Sequence, residues 1–160
     1  MSIWDWFWPK RTRLVKRRQR RFRSAWRLAK NAVNVSFKEG HRTSKGLQIR
    51  AEELVRSYQF NGFVNGLIIN LAIALISSLI KLILNCQVGT GQQSQIDSQK
   101  LAKLSGQVEE QIAAELALNV SASEMATSVP NGSIPEVLEV LADLFQVLAR
   151  LWDLLDGDED

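Results

Sequence analysis

The chain has 160 residues, of which 46% are hydrophobic and 23% charged, and its formal net charge is +3. This length and composition indicate one ordinary folded domain and exclude a chain that is disordered throughout. The single cysteine, Cys86, excludes a disulfide within the chain, and the single histidine, His41, has no metal-ligating residues clustered around it in the sequence. We therefore predict no metal site and no cofactor.

Charge is sorted strongly along the chain. Residues 1–50 contain 15 Lys/Arg against two acidic residues, residues 51–96 contain two of each, and residues 97–160 contain 13 Asp/Glu against three basic residues. A basic arm is thus joined to an acidic arm through a neutral middle. Arms of opposite sign attract each other, which predicts that they dock within one molecule, assemble head to tail, or are held on opposite sides of a barrier.

The first nine residues are rich in aromatic side chains and hold three of the five tryptophans. Tryptophan collects at membrane interfaces and in protein contacts, because its large ring also carries a polar N–H. We predict that this segment is an interface anchor formed by Trp4, Trp6, Phe7 and Trp8.

A basic segment follows, with eleven Lys/Arg between Lys10 and Lys30. From Phe22 onward its apolar residues recur at helical spacing, which predicts a basic amphipathic helix over about residues 12–36. Because the arginine fork can bind two phosphate oxygens at once, we expect this helix to bind lipid headgroups or nucleic acid. The expected contacts are Lys10, Arg11, Arg13, Lys16, Arg17, Arg18, Arg20, Arg21, Arg23 and Arg27. The alternatives are a protein-partner or nuclear-import signal, and charge that only orients a membrane segment.

The middle of the chain holds its most apolar run, Phe63–Leu84, after a predicted loop near residues 40–46 and a short helix over about residues 47–59. These 22 residues, as a helix, are long enough to cross a bilayer. Small and polar residues recur at spacings of three or four and form one stripe on this helix: Gly66, Asn70, Ala74, Ser77 and Lys81. In lipid such a stripe forms a helix–helix seam or lines a pore.

Three interpretations of the central helix are open: a transmembrane helix that self-associates through its stripe, a helix buried in a soluble bundle with the stripe facing solvent, and an interfacial or re-entrant helix. The transmembrane interpretation is favoured, because a soluble surface helix needs an apolar stripe only about 100° wide. In that arrangement the excess of Lys/Arg places residues 1–60 in the cytoplasm or virion interior and residues 87–160 on the opposite side.

The acidic half begins with a flexible linker at about residues 87–99, rich in Gly, Gln and Ser. Two helices are predicted after it, over about residues 96–119 and 134–155. The second has apolar residues at heptad spacing, a pattern typical of a helix in a bundle or an oligomer. The predicted oligomerisation residues are Ile134, Val137, Leu141, Leu144, Leu148, Leu151 and Leu155.

The expected fold is therefore all-α. A long central hydrophobic helix lies between a basic amphipathic N-terminal helix and two C-terminal helices that form a bundle or coiled-coil-like contact. The expected regions are a basic arm at residues 1–60, the hydrophobic helix at 61–86, the linker at 87–99 and an acidic helical assembly region at 100–160.

The motifs of catalysis are not found in the sequence. There is no glycine-rich phosphate loop before a helix and no nucleophile elbow, and a Ser–His or Cys–His relay would depend on His41 alone. We therefore predict that the protein is not an enzyme. In outline, its layout resembles small membrane-associated virion proteins of phages and viruses, which also join a basic nucleic-acid-facing arm to a hydrophobic helix and an assembly helix.

We expect a non-enzymatic, homo-oligomeric, membrane-associated structural protein, with a virion or phage component as the form that the resemblance implies. Its basic arm is expected to bind an anionic membrane or nucleic acid, and its helices to mediate assembly. Two alternatives stay open: a soluble all-α adaptor or nucleic-acid-binding assembly protein, and a small pore-forming toxin or lysis protein.

Overall fold

The computed structural model of the protein describes residues 10–60, 65–87, 98–118, 120–128 and 134–157. Within these residues the backbone forms helices and no strand. The helices are α1 (Lys10–Lys38), α2 (Ser44–Phe60), α3 (Gly66–Gln87), α4 (Ser98–Ala117), α5 (Ala122–Thr127), α6 (Pro135–Arg150) and α7 (Trp152–Asp156). The predicted all-α fold is confirmed, including the basic N-terminal helix, the long hydrophobic helix and the C-terminal helices that pack with them.

A glycine ends the long basic helix α1. Gly40 has a φ of 106°, which residues with a side chain rarely adopt. Its N–H donates to the carbonyl of Phe37 at 3.0 Å, and the N–H of His41 donates to the carbonyl of Ser36 at 3.3 Å. These two bonds form a Schellman motif, which closes the end of a helix. The chain can therefore turn after α1, and α2 packs against α1.

The hydrophobic helix α3 is the centre of the bundle, where it contacts α1, α2, α4 and α6. Asn65 caps its start, because its Oδ1 accepts a hydrogen bond from the N–H of Leu67 at 2.9 Å. Large side chains of α3 such as Leu71, Leu75 and Leu82 are fully buried. Each leucine buried in this way stabilises the fold by about 1.5–3 kcal/mol, so the packing of α3 is a main source of stability.

Among the described residues, α3 is also the one helix that is long and apolar enough to cross a bilayer. The span Gly66–Asn85 has 20 residues and a mean hydropathy of 2.5. Length and hydropathy are shared by transmembrane helices and by the core helices of soluble proteins. In this structure 56% of the apolar window is buried inside the protein.

A buried tryptophan joins α1 to α4. Trp26 of α1 is fully buried, and its Nε1–H donates to the Oγ of Ser105 in α4 at 3.0 Å. Its ring stacks on Phe22, with the ring centroids 5.8 Å apart. A buried indole N–H is costly without a partner, so this contact fixes the basic helix on the acidic half of the chain.

The C-terminal helix predicted over residues 134–155 is divided in the structure. α6 ends at Arg150, and Leu151, with φ −104° and ψ 21°, separates it from α7. Neither glycine nor proline occurs at the break, so the sequence contains no helix-breaking residue that would predict it. The end of α7 lies against α1, where an arginine side chain donates hydrogen bonds to its carbonyl groups.

The short helix α5 has no counterpart among the predicted helices. Its N-cap is Ser121, whose Oγ accepts a hydrogen bond from the N–H of Glu124 at 3.2 Å. Its one buried side chain, Met125, packs in the core. A cap of this kind supports a short helix, but tertiary packing decides whether it forms.

One hydrophobic cluster includes buried residues from every helix, among them Phe22, Val55, Leu75, Ile112 and Leu144. The basic N-terminal half and the acidic C-terminal half therefore share a core. Of the three arrangements that the charge sorting allows, the structure has docking within one molecule.

Candidate functional site

The helix α1 has two faces of opposite character. One face is buried and consists of Phe22, Ala25, Trp26, Ala29, Ala32 and Val33. The other is exposed and carries five basic residues at spacings of three and four, which we call the cationic face: Arg13, Lys16, Arg20, Arg23 and Arg27. At 3.6 residues per turn these five positions fall within an arc of about 80°, and they extend along about 21 Å of the helix.

Few carboxylates neutralise the cationic face. Arg23 is the exception, with its Nε 3.8 Å from Oε1 of Glu109 in α4. Within the part of the chain that the structure describes, no acidic side chain pairs with Arg13, Lys16 or Arg20, and none pairs with Arg27. Since like charges repel along the face, a polyanion that lies on it is favoured.

Arg18 is turned inward, away from the cationic face. Its Nε lies 2.5 Å from Oδ1 of Asp156, and its Nη2 lies 3.0 Å from Oδ2 of the same carboxylate. The guanidinium carbon also lies 4.2 Å from the ring centroid of Trp152, close enough for a cation–π interaction. The side chain is only 6% exposed, so it is held within the molecule.

Arg17 and Arg21 complete the contact between α1 and the end of α7, and with Arg18 they form what we call the arginine clasp. Nη1 of Arg21 donates to the carbonyl oxygens of Leu154 and Leu155, at 3.2 Å each. Nη1 of Arg17 donates to the carbonyl oxygens of Asp156 and Gly157, at 3.3 and 3.4 Å. The carbonyls at a helix C-terminus lack partners within the helix and carry partial negative charge, so the clasp satisfies them.

The ten predicted phosphate-binding residues therefore divide into groups. Five form the exposed cationic face, and three form the clasp, where they bind the chain's own C-terminal end. Lys10 and Arg11 begin α1, but their side chains lie outside the described residues. The predicted anchor residues Trp4, Trp6, Phe7 and Trp8 also lie outside them.

The predicted stripe of α3 is the part of that helix that the other helices cover least. Asn70 and Lys81 are exposed, and Gly66, Ala74 and Ser77 are half-buried. Nζ of Lys81 pairs with the carboxylate of Asp143 in α6. The stripe thus lies on the least covered side of α3, beside α6.

The heptad residues predicted for oligomerisation pack inside the chain. Val137, Leu141, Leu144, Leu148 and Leu155 are fully buried in the core, and Ile134 and Leu151 are half-buried against it. In this fold the apolar face of α6 is occupied by α3, α4 and α5. The sequence pattern identified the face correctly as a packing surface, while its partner here is the same chain.

An exposed ion pair between Glu39 and Arg50 shifts the pKa values of both side chains. Arg50 of α2 donates from Nε and Nη2 to the two carboxylate oxygens of Glu39, at 2.7 and 3.0 Å. These hydrogen bonds lower the pKa of the Glu39 carboxyl and raise that of the Arg50 guanidinium. The pair joins the end of α1 to α2. In the described residues no three His, Cys, Asp or Glu side chains are grouped as metal ligands.

No protein-family model, curated protein or solved structure matches this chain. Sequence reasoning identified the basic helix but did not divide its residues between the cationic face and the arginine clasp, because the clasp depends on the packing of α7 against α1. The signal available in the sequence was the opposite charge of the two arms. The cationic face of α1 is the feature from which a function can be inferred.

Proposed function

We propose that this protein is a non-enzymatic structural protein that binds the surface of an anionic membrane through the cationic face of α1. The observation that carries the proposal is the exposed, unneutralised row formed by Arg13, Lys16, Arg20 and Arg27. On a helix whose opposite side is buried in the core, such a row is a rigid linear surface for phosphate groups.

The expected strength of this interaction follows from the number of charges. A basic residue close to an anionic leaflet contributes about 1 kcal/mol, and the attraction decreases within one Debye length. The four unneutralised residues therefore contribute up to about 4 kcal/mol, or about three powers of ten in affinity. The aromatic anchor residues directly before α1 are expected to add apolar insertion at the same end.

Vesicle sedimentation at several salt concentrations tests the proposal. The test variant is R13Q/R20Q/R27Q, and the control is K45Q/R56Q/K103Q, which removes equal charge from exposed positions on α2 and α4. We expect the test variant to lose most binding to vesicles of phosphatidylglycerol and phosphatidylcholine, and the control to lose little. Equal loss in both variants would show that net charge, and not the face, determines binding, and would contradict the proposal.

The same variants distinguish lipid from nucleic acid. Duplex and single-stranded DNA present phosphates to the same row of side chains, and binding to them also decreases steeply with salt. We expect the protein to bind anionic vesicles more strongly than DNA at equal phosphate concentration and ionic strength. The reverse order would favour the nucleic-acid-binding assembly protein.

Assembly into a homo-oligomer or a larger particle is a further part of the proposal. Since the apolar face of α6 is occupied within the chain, an oligomer of the folded bundle would use another surface. Light scattering of the vesicle-free and vesicle-bound protein tests this directly. We expect a particle of more than one chain on the membrane, and a monomer in both states would contradict assembly.

A second candidate function is a membrane-spanning state, as a structural membrane protein or a pore-forming protein. The observation that favours it is the length and hydropathy of Gly66–Asn85. A span needs α3 to leave the bundle, because the charged helix α1, with Arg18 and Arg21, packs along it. Resistance to carbonate extraction would support this state, and release by carbonate would support surface binding.

A further inference from the structure

The bundle contains a cavity that the cationic face does not use. It lies between the C-terminal half of α1, the C-terminal half of α3 and the start of α4, and its volume is about 540 Å³. Its walls are mainly apolar and include Val33, Phe37, Leu79, Ile83 and Leu101. This volume is within the range of about 300–1,000 Å³ that is typical of ligand sites.

One rim of the cavity is polar and positively charged. Lys30 and Lys38 both line it, as do the amides of Asn31 and Asn34, and all four are on α1. The helix rises about 12 Å between the two lysines. Lys38 is exposed and Lys30 half-buried, so an ammonium group can reach an anion at the mouth while its stem lies on the apolar wall.

We propose that this cavity binds a single-chain anionic amphiphile, in which one alkyl chain ends in a carboxylate or a phosphate. The apolar walls take the alkyl chain, because each buried methylene is removed from water. The lysine rim takes the anionic head, because an ammonium group forms a strong charge-assisted hydrogen bond with it. Among the described residues, Lys30 and Lys38 are the only charged side chains that line the cavity, and no acidic side chain lines it.

The site is separate from the cationic face and does not depend on vesicle binding. Isothermal titration calorimetry with monomeric amphiphiles, without vesicles, measures it alone. A series of decanoate, dodecanoate and tetradecanoate tests the alkyl chain, and dodecyl phosphate compares the two head groups. We expect affinity to increase by up to about fourfold for each methylene. We expect dodecanol, which lacks the charge, to bind more weakly than dodecanoate by about tenfold or more.

Two pairs of variants locate the site. K30Q/K38Q should weaken dodecanoate binding by about tenfold or more, while K45Q/R56Q on α2 should leave it unchanged. A102W adds a large ring at an exposed position on the cavity wall and should prevent binding. A114W, at an exposed position outside the cavity on the same helix, is its control.

Several results would overturn the proposal. Equal affinity for dodecanol and dodecanoate would remove the role of the lysines, and undiminished binding in A102W would place the ligand elsewhere. A lack of binding by every probe would also overturn it. Loss of vesicle binding in R13Q/R20Q/R27Q with dodecanoate binding intact, by contrast, would support a site separate from the proposed membrane surface.

Discussion

The pairing of Arg18 with Asp156 provides a direct measure of how firmly the two oppositely charged arms are docked. Arg18 is 6% exposed and Asp156 is 29% exposed, and two hydrogen bonds join them. The pair on the outside of the bundle, Lys81 with Asp143, is 51% and 33% exposed. The two pairs have the same charges in different environments, so each can serve as the comparison for the other.

Double-mutant cycles give the interaction energy of each pair. For Arg18→Met and Asp156→Asn we expect a coupling of about 1.5–3 kcal/mol, the range of hydrogen bonds between charged groups at sites with little solvent. This coupling is smaller than the loss of about 3–5 kcal/mol in stability when one partner of a fully buried pair is removed, because Asp156 is partly hydrated. For Lys81→Met and Asp143→Asn we expect about 0–1 kcal/mol, as for exposed pairs.

The energies are measured by urea unfolding, followed by helical circular dichroism and by tryptophan fluorescence. Urea is uncharged, so it does not screen the pairs that are compared. The slope of the free energy of unfolding against urea must stay constant across the variants for the cycle to be valid. A coupling for Arg18 and Asp156 no larger than that of the exterior pair would refute intramolecular docking through the clasp.

Three further predictions concern the fold. Leu75→Ala should decrease the free energy of unfolding by about 2–5 kcal/mol in urea unfolding, whereas Asn70→Ala on the exposed stripe should change it by less than about 0.5 kcal/mol; equal effects would mean that Leu75 is not in a packed core. Gly40→Ala should cost about 1 kcal/mol, because the φ of 106° is strained for alanine, and a lower thermal midpoint would report it; an unchanged midpoint would contradict the Schellman closure of α1. The hydrogen bonds from Arg50 lower the pKa of Glu39 below its ordinary value of 4.5. As the pH decreases towards that value, Glu39 therefore binds a proton more readily in the unfolded chain than in the folded one. The stabilisation by the Glu39–Arg50 pair is thus present above about pH 4.5 and is lost as the pH falls through the folded pKa. Urea midpoints of the wild type and Glu39→Gln should therefore differ at neutral pH and converge as the pH falls through the lowered pKa of folded Glu39, and a difference that is constant with pH would contradict the pair.

The sequence was sufficient for the long helices and for their buried faces, because both depend on local periodicity, but not for the short helix α5 or for the division between α6 and α7. Phe22 and Trp26 mark the core side of α1, and the spacing of Leu144 and Leu148 marks the core side of α6. In each case residues three or four apart must lie on one face of a helix. The same rule placed Asn70 and Lys81 on a common stripe.

What covers the apolar side of α3 could not be predicted from its own sequence. Leu71 and Leu75 would favour lipid or protein equally, since both are apolar surroundings. The choice depends on whether α1, α2, α4 and α6 supply complementary faces, and that is a property of the whole chain. In the structure these helices do so.

The arginine clasp was beyond sequence reasoning for a different reason. Helical spacing places Arg18, four residues before the buried Phe22, on the core side of α1 and Arg20 on the other side, but it does not identify the partner of Arg18. In the structure Arg18 contacts α7, whereas Arg20 is exposed. Asp156 pairs with Arg18 because the tertiary fold packs α7 against α1, and the two residues are 138 positions apart in the chain.

We propose that the protein binds a membrane as the folded bundle, with α3 still packed against the other helices. A nitroxide label at Asn70→Cys in a Cys86→Ser background tests it, because Asn70 is exposed on the bundle and lies within the apolar span of α3. On anionic vesicles we predict that the label stays accessible to a water-soluble nickel complex, as it is in solution. Loss of nickel access together with a gain in oxygen access would place Asn70 in hydrocarbon and contradict the claim.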